Sequence, residues 1–280
     1  MKNIIVVTGG AGFVGSNLIS LLIKKTKYKI ISIDNYSTGS KKNHKQNKRI
    51  NYIKGNTKNI ATILKNKTNK IKTIFHFGEF ARIYQSFLKM SECIDSNSVG
   101  SNAVFNFCLT NNIKLFYSAT SASLGNKGKD KNLSPYAFTK SKNLEMLENL
   151  KKWFDMKYEV VYFYNVYGEG QIKSGSMATV IGIFENQYKE NKALPVVRPG
   201  NQSRRFTHIK DTIEVCYLAW RRNKCKHYSI SSKKSYTIIE VAKLFKSKIK
   251  YLAPRAGERF ASALTNMNFS NPVHRHYGKI

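Results

Sequence analysis

The stretch IIVVTGGAGFVGSNL, residues 4–18, decides the fold. Apolar and β-branched residues run from Ile4 to Thr8 and stop at a turn that carries Gly9, Gly12 and Gly15. An apolar helix pattern opens inside that turn, at Phe13 and Val14. A turn of this kind between a strand and a helix is suited to a pyrophosphate. The first glycine permits the tight turn, the second lets the backbone come close, and the helix N-terminus offers N–H groups and partial positive charge. A Gly-rich turn can also serve packing alone, but the strand before it and the helix after it favour the phosphate reading. The second strand pattern ends at Asp34, nineteen residues beyond Gly15. A carboxylate there accepts hydrogen bonds from adenosine ribose hydroxyls and repels a 2′-phosphate, which favours NAD over NADP. Lys41 and Lys42 follow closely enough to keep NADP open, and Asp34 could also be a plain turn residue.

Strand patterns recur at 4–8, 29–34, 50–54, 73–77, 114–117 and 159–164, with helix patterns at 13–25, 60–66, 95–110 and 135–154 between them. Val/Ile-rich strands alternating with helices predict a parallel sheet covered on both faces. The expected class is α/β: a Rossmann, doubly wound parallel sheet over 1–165 and a smaller C-terminal substrate-binding lobe over 166–280. Part of 204–222 is expected to return to the first domain. Gly168, Gly170, Gly175, Pro195, Pro199 and Gly200 punctuate the looser second part. No repeat or low-complexity linker separates the two, so one packed unit is expected.

The chain of 280 residues is long enough to bury a full core. No apolar run approaches the roughly 20 residues that span a bilayer. The opening MKNIIVVTGG enters the first strand pattern directly and lacks the apolar segment and cleavage site of a signal peptide. Cys93, Cys108, Cys216 and Cys225 show no C-x-x-C spacing, which reads as reduced thiols in a cytosolic, cytoplasmic protein with no metal site. The formal charge of +32 raises a nucleic-acid reading. Only ten of the 48 basic residues are Arg, however, and Lys recurs along the whole chain rather than on one stretch. That pattern describes a solvated surface, with no specific nucleic acid as partner and a field that draws in polyanions such as nucleotide diphosphates. The densest block, KKNHKQNKR at 41–49, reads as a loop.

Two further stretches carry chemistry. FYSATSASLG, residues 116–125, leaves a strand for a loop of small hydroxyls, including Ser118 and Thr120. YAFTK then sets Tyr136 and Lys140 four apart, on one face of a helix pattern. By itself that spacing is common. After a dinucleotide-binding turn and a hydroxyl-rich loop it points to a hydroxyl-oxidising site on a nicotinamide cofactor.

Motif by motif the chain resembles the extended short-chain dehydrogenase/reductases of the NAD-dependent epimerase/dehydratase family, with the UDP-galactose 4-epimerase (UDP-glucose 4-epimerase) group nearest. The matching pieces are TGGAGFVGSNL, the DN of Asp34 and Asn35, HFGE with Phe77, Gly78 and Glu79, Asn97, SPYAFTK, YNVYG, RRFTHIKD and PRAGER, in family order. The resemblance implies that Thr120, Tyr136 and Lys140 are catalytic. Thr120 would hydrogen-bond the reacting sugar oxygen. Lys140 would hold the cofactor ribose and lower the pKa of Tyr136, since a phenol near 10 needs help to act as a base at neutral pH. It further implies that Gly9, Gly12, Phe13, Val14, Asp34, Asn35, Asn56, Phe77 and Gly78 join Tyr136 and Lys140 in binding NAD. Asn165, Arg204 and Arg255 would grip the nucleotide diphosphate, with Ser118, Tyr84 and Glu79 also near the substrate. A nucleotide-diphosphate sugar as substrate and a homodimer formed through helices 95–110 and 135–154 are implied by the same likeness. Asn56 replaces the usual Asp at the adenine, Leu124 the usual aromatic, and Arg205 the acidic residue after the first Arg. The chain ends at HRHYGKI, before the last helix of many relatives.

The fate of the oxidised sugar turns on Ser121 and Ala122. Relatives that eliminate water or decarboxylate usually carry acidic groups there, whereas neither of these side chains is a general acid at neutral pH. The expectation is therefore a 4-epimerase. Glu79 is the exception, because it stands after the fourth strand where small residues are usual. It could abstract a C5 proton in a dehydratase, or it could be a solvated or Arg82-paired carboxylate. A non-catalytic NAD- or RNA-binding Rossmann protein is the alternative of another class, and intact Thr120, Tyr136 and Lys140 count against it. His76 reads as a packed residue at a strand end.

Overall fold

The computed structural model describes residues 2–124, 132–232 and 234–257. Its centre is a seven-stranded sheet of β1 (Ile4–Thr8), β2 (Lys29–Asp34), β3 (Ile50–Lys54), β4 (Ile71–His76), β5 (Lys114–Thr120), β6 (Tyr158–Phe163) and a later strand, His227–Ile230. All pairs in it are parallel, and the spatial order is β3-β2-β1-β4-β5-β6 and then that later strand. Every residue of β1 is buried, because both faces of the sheet are covered. Side chains alternate between faces along a strand. Ile4 and Val6 enter one core with Val104, Phe105 and Leu147, while Ile5 and Val7 enter the other with Leu18, Leu22 and Trp220.

The helices, in chain order, are α1 (Phe13–Lys25), α2 (Ile60–Leu64), α3 (Ile83–Leu88), α4 (Met90–Ile94), α5 (Ser101–Thr110), α6 (Ser121–Leu124), α7 (Pro135–Phe154), α8 (Val180–Lys189), α9 (Ile209–Arg222) and α10 (Ile238–Leu244). α7 begins as its sequence dictates, with Ser134 capping the Ala137 N–H and Pro135 at the first turn. The expected helix over 95–110 starts earlier, at Met90, and contains a π-helical turn at Asp95–Gly100. Such turns shift the helix face and recur at functional sites.

The second lobe is built from small two-stranded pairs. Here β7 (Val166–Tyr167) pairs with β10 (Thr207–His208), β8 (Leu194–Val197) with β13 (Ile249–Leu252), and β9 (Ser203–Arg204) with β12 (Tyr236–Thr237). Its own core joins Ile181, Phe184, Leu194, Val196, Phe206 and Val241. The return to the first domain is longer than the expected 204–222. α9 packs with α1, and β11 (His227–Ile230) then completes the large sheet beside β6. No helix among the described residues is long and apolar enough to cross a membrane.

Candidate active site

The strand order reverses between β1 and β4, and crevices for ligands form at the carboxyl ends of strands where such reversals occur. The structure fits a pyrophosphate there through the absence of side chains. Gly9 has φ +68°, and a Cβ on it would stand 2.7 Å from the Phe77 carbonyl carbon. A Cβ on Gly15 would meet Gly9 O at 2.2 Å. Gly12 occupies the N-cap of α1 with no side-chain cap and no acidic residue in the first turn, which leaves the helix end at Phe13 and Val14 suited to an anion. Phe77 and Gly78 thus touch the turn through their backbone, and the Phe77 ring packs on Phe75 and Phe163.

Asp34 is buried and accepts from Ala11 N at 2.9 Å and Tyr36 N at 2.8 Å. Burial raises its pKa, and these N–H groups partly counter that. Its carboxylate therefore fixes the Gly-rich turn to the end of β2. Asn35 Oδ1 accepts from Ser37 N at 3.0 Å, and Asn56 Oδ1 caps the turn after β3 through Lys58 N at 3.0 Å.

The catalytic candidates converge at the end of β5. That strand runs to Thr120, three residues beyond its expected end, because Ser118, Ala119 and Thr120 pair with Val161, Tyr162 and Phe163 of β6. The Tyr136 hydroxyl hydrogen-bonds to Thr120, and the Tyr136 N–H donates to Ser86 Oγ on α3 at 3.2 Å. Ser118 Oγ donates to His76 O at 2.9 Å. Lys140 Nζ donates to Ser118 O and pairs with Glu79, and it lies 4.7 Å from the centre of the Tyr117 ring.

Glu79 departs from the solvated and Arg82-paired readings. It is neither solvated nor paired with Arg82, and it does not stand as a free carboxylate toward substrate. Its side chain is 2% exposed. Oε2 takes Lys140, while Oε1 accepts from Ser101 Oγ at 2.8 Å, Tyr117 Oη at 3.0 Å and Asn143 Nδ2 at 3.2 Å. The network continues through His76, whose Nε2 is 2.9 Å from Ser101 Oγ and whose Nδ1 is 2.7 Å from Thr8 Oγ1. Ser101 gives its proton to Glu79, so it must accept from His76 Nε2–H. Nδ1 then accepts from Thr8. Burial lowers the His76 pKa to about 4, which keeps the ring neutral. Thr8 Oγ1 in turn accepts from the Phe77 and Gly78 N–H groups at 3.2 and 3.1 Å. One buried chain of hydrogen bonds thus runs from the Gly-rich turn to Lys140.

Tyr136 is pushed up to about 12, chiefly by burial. The Thr120 hydrogen bond and the Arg82 charge pull it down, and the Glu79 charge pushes it up. Arg82 donates from Nε to Met177 O at 2.8 Å and from Nη1 to Ala81 O at 2.7 Å, which ties the site to the second lobe. Arg255 lies over the ring of Tyr84 at 5.3 Å. Asn165, at φ +33°, donates to Arg205 O at 3.0 Å, and Arg204 on β9 donates to Ser203 O at 2.9 Å. Gly125, Glu258, Arg259 and the HRHYGKI end lie outside the described residues.

Sequence reading passed over Ser101, Tyr117, Asn143 and the approach of Arg82 to Tyr136. A signal existed for one of them: Tyr136, Lys140 and Asn143 share a helix face at i, i+4 and i+7. Asn143 Nδ2 also donates to Asn97 O at 2.6 Å, in the π-helical turn, while Asn97 itself brackets the Phe80 backbone at 2.7 and 3.1 Å.

The chain is similar to proteins of related name. It is 29% identical to the ADP-L-glycero-D-manno-heptose-6-epimerase of Brachyspira hyodysenteriae over 270 residues, covering 89% of this chain and 84% of that one. It is 26% identical to a putative UDP-glucose 4-epimerase of Methanocaldococcus jannaschii, covering 91% and 87%. Among solved structures, the UDP-N-acetylglucosamine 4-epimerase of Methanobrevibacter ruminantium, in complex with UDP-N-acetylmuramic acid, superposes with a TM-score of 0.84 at 26% identity, covering 96% and 91%. The model of the NAD dependent epimerase/dehydratase family matches residues 5–231, and the chain belongs to that family of NAD-dependent enzymes.

Proposed function

We propose that the protein epimerises a nucleotide-diphosphate sugar at C4, with a UDP-hexose as substrate. The observation that carries this reading is the state of the carboxylates. Tyr136 and Thr120 form a hydrogen-bonded pair, and Ser121 and Ala122 come directly after Thr120. Glu79 has both oxygens committed to Lys140, Ser101, Tyr117 and Asn143. Elimination needs a group to take the C5 proton or to protonate a leaving hydroxyl. A 4-epimerase needs only a base at the C4 hydroxyl.

NAD, when bound, supplies the oxidation by taking the C4 hydride and giving it back. Thr120 Oγ1 orients the sugar hydroxyl, and Tyr136 Oη removes its proton and later restores it. Gly9, Gly12, Phe13 and Val14 would hold the pyrophosphate of NAD, Asp34 and Asn35 its adenosine ribose, and Asn56 its adenine. Lys140 retains N–H capacity beyond Glu79 and Ser118 for a ribose hydroxyl. Arg204, Arg255 and Asn165 would take the sugar nucleotide's diphosphate, with Tyr84 held under Arg255. The names of the relatives divide between ADP and UDP sugars. The UDP choice leans on the Methanocaldococcus and Methanobrevibacter proteins.

We also propose a homodimer through α5 and α7. Phe138 and Met146 are both exposed, two turns apart on α7, with Trp153 further along the same face.

The test is a proton NMR time course in D2O with NAD+ and UDP-glucose, then UDP-N-acetylglucosamine. The expected result is a new anomeric signal for the C4 epimer with no deuterium at C5. Deuterium at C5, or a keto or alkene product, would overturn the reading.

A further inference from the structure

A carboxylate and an ammonium taken out of water lose several kcal/mol of hydration each, which their attraction offsets only when the remaining donors and acceptors are also satisfied. The Glu79–Lys140 pair meets that condition. The two side chains are 2% and 5% exposed, and three neutral donors complete the carboxylate. A well-packed apolar pair would hold β4 to α7 as well or better. The location of the pair gives a reason for its charges. Lys140 is one helical turn from Tyr136, and Glu79 is bonded through Ser101 and His76 to Thr8 beneath the Gly-rich turn. Thr120 hydrogen-bonds the Tyr136 hydroxyl, and the charges of Glu79, Arg82, Cys93 and Tyr117 act on it or feel it. Those facing Glu79 are Lys140, Ser101, Tyr117 and Asn143, with His76 and Cys93 close by.

We propose that Glu79 is a positioning residue: it anchors Lys140 in a buried ion pair and thereby limits the positive charge that reaches the Tyr136 hydroxyl. An ammonium one turn from a phenol would otherwise favour the phenolate strongly. With Glu79 in place, Arg82 is the cation whose field favours ionisation of Tyr136, against burial and the Glu79 charge, which both hold the proton on the phenol. The importance of this for turnover rests on Tyr136 acting as the base in the proposed function.

The test reads Tyr136 directly and needs no sugar nucleotide. Protein labelled with 13Cζ-tyrosine is titrated by NMR between about pH 7 and 11, with Tyr136→Phe assigning the resonance. In the unaltered protein the Tyr136 signal should hold its protonated position across that range. In Glu79→Gln the signal should move toward the phenolate position inside that range, as a fall of about one pH unit or more, a tenfold rise in the ionisation constant, requires. Glu79→Gln combined with Lys140→Gln removes both charges and should return most of that shift. If Glu79→Gln does not fold, Glu79→Asp withdraws the charge by one methylene and should give a smaller downward step. A folded Glu79→Gln whose Tyr136 signal still holds its protonated position up to about pH 11 overturns the proposal. So does a double variant that titrates like Glu79→Gln, since Glu79 would then act without Lys140. The shift without epimerisation of any UDP-hexose would overturn the proposed function and leave the positioning role standing.

Discussion

The Gly-rich turn after β1 and the pocket around Glu79 lie at neighbouring strand ends and solve opposite problems. The turn works by leaving side chains out. Gly9 and Gly15 have no room for a Cβ, and an uncapped helix end remains for the cofactor. The pocket works by packing in side chains that ordinarily stay in water. Glu79 and Lys140 are buried there with Ser101, Tyr117, Asn143 and His76 as partners. The first region leaves its helix-end donors open, as the proposed cofactor site requires, whereas the second uses its donors internally, as the proposed positioning role of Glu79 requires. A carboxylate just after the fourth strand is therefore not by itself evidence of a second acid. Its partners decide what it can do.

The contrast can be broken most severely at Tyr136. Tyr136→Phe removes the only proton acceptor assigned to the sugar hydroxyl and should cut turnover by about a hundredfold to ten-thousandfold. The chain should remain folded, as measured by far-UV circular dichroism, so that the loss reads on the chemistry. Turnover within a few fold of the parent would show that another group is the base.

His76 sharpens the contrast through pH. Its folded pKa is about 4 against an ordinary 6.5, so the unfolded chain binds a proton that the folded one refuses. Stability is present in full above pH 6.5 and is lost as pH falls toward about 4, by about 3 kcal/mol. Urea midpoints should decline over that window, and His76→Gln should flatten the decline. A variant with the same slope would place the acid sensitivity elsewhere.

In the turn, Gly9→Ala combines a left-handed φ with a clash against the Phe77 backbone and should cost about 1–3 kcal/mol of stability. NAD affinity should fall about tenfold with it, corresponding to about 1.4 kcal/mol. Calorimetry of both quantities checks this, and unchanged affinity would detach Gly9 from the cofactor. The smallest effect belongs to the outer face of α7. Phe138→Lys should shift the protein from dimer toward monomer by light scattering, a loss of about 1–2 kcal/mol of association. A monomeric parent would refute the dimer outright.

The turn is legible in the sequence because its requirement is local. Strand, glycine spacing and helix are consecutive, and β1, α1, β2 and α7 lie where the patterns place them. Strand β5 outruns its sequence pattern by three residues because Ser118, Ala119 and Thr120 resemble a loop until β6 lies beside them. The Glu79 pocket is illegible for a similar reason. Its partners come from β5, α5 and α7, between 22 and 64 positions away. Only the parallel register and the packing of α7 bring them together. The return of α9 and β11 to the first domain likewise depends on a contact with α1 that no local pattern announces.

The most direct test of the central claim is to track the label from UDP-glucose deuterated at C4 through turnover with NAD+ in ordinary water. Deuterium should remain at C4 in both epimers, because the hydride leaves and returns within one active site while Tyr136 handles only the hydroxyl proton. Loss of deuterium to solvent, its appearance at another carbon, or a product short of one water would contradict it.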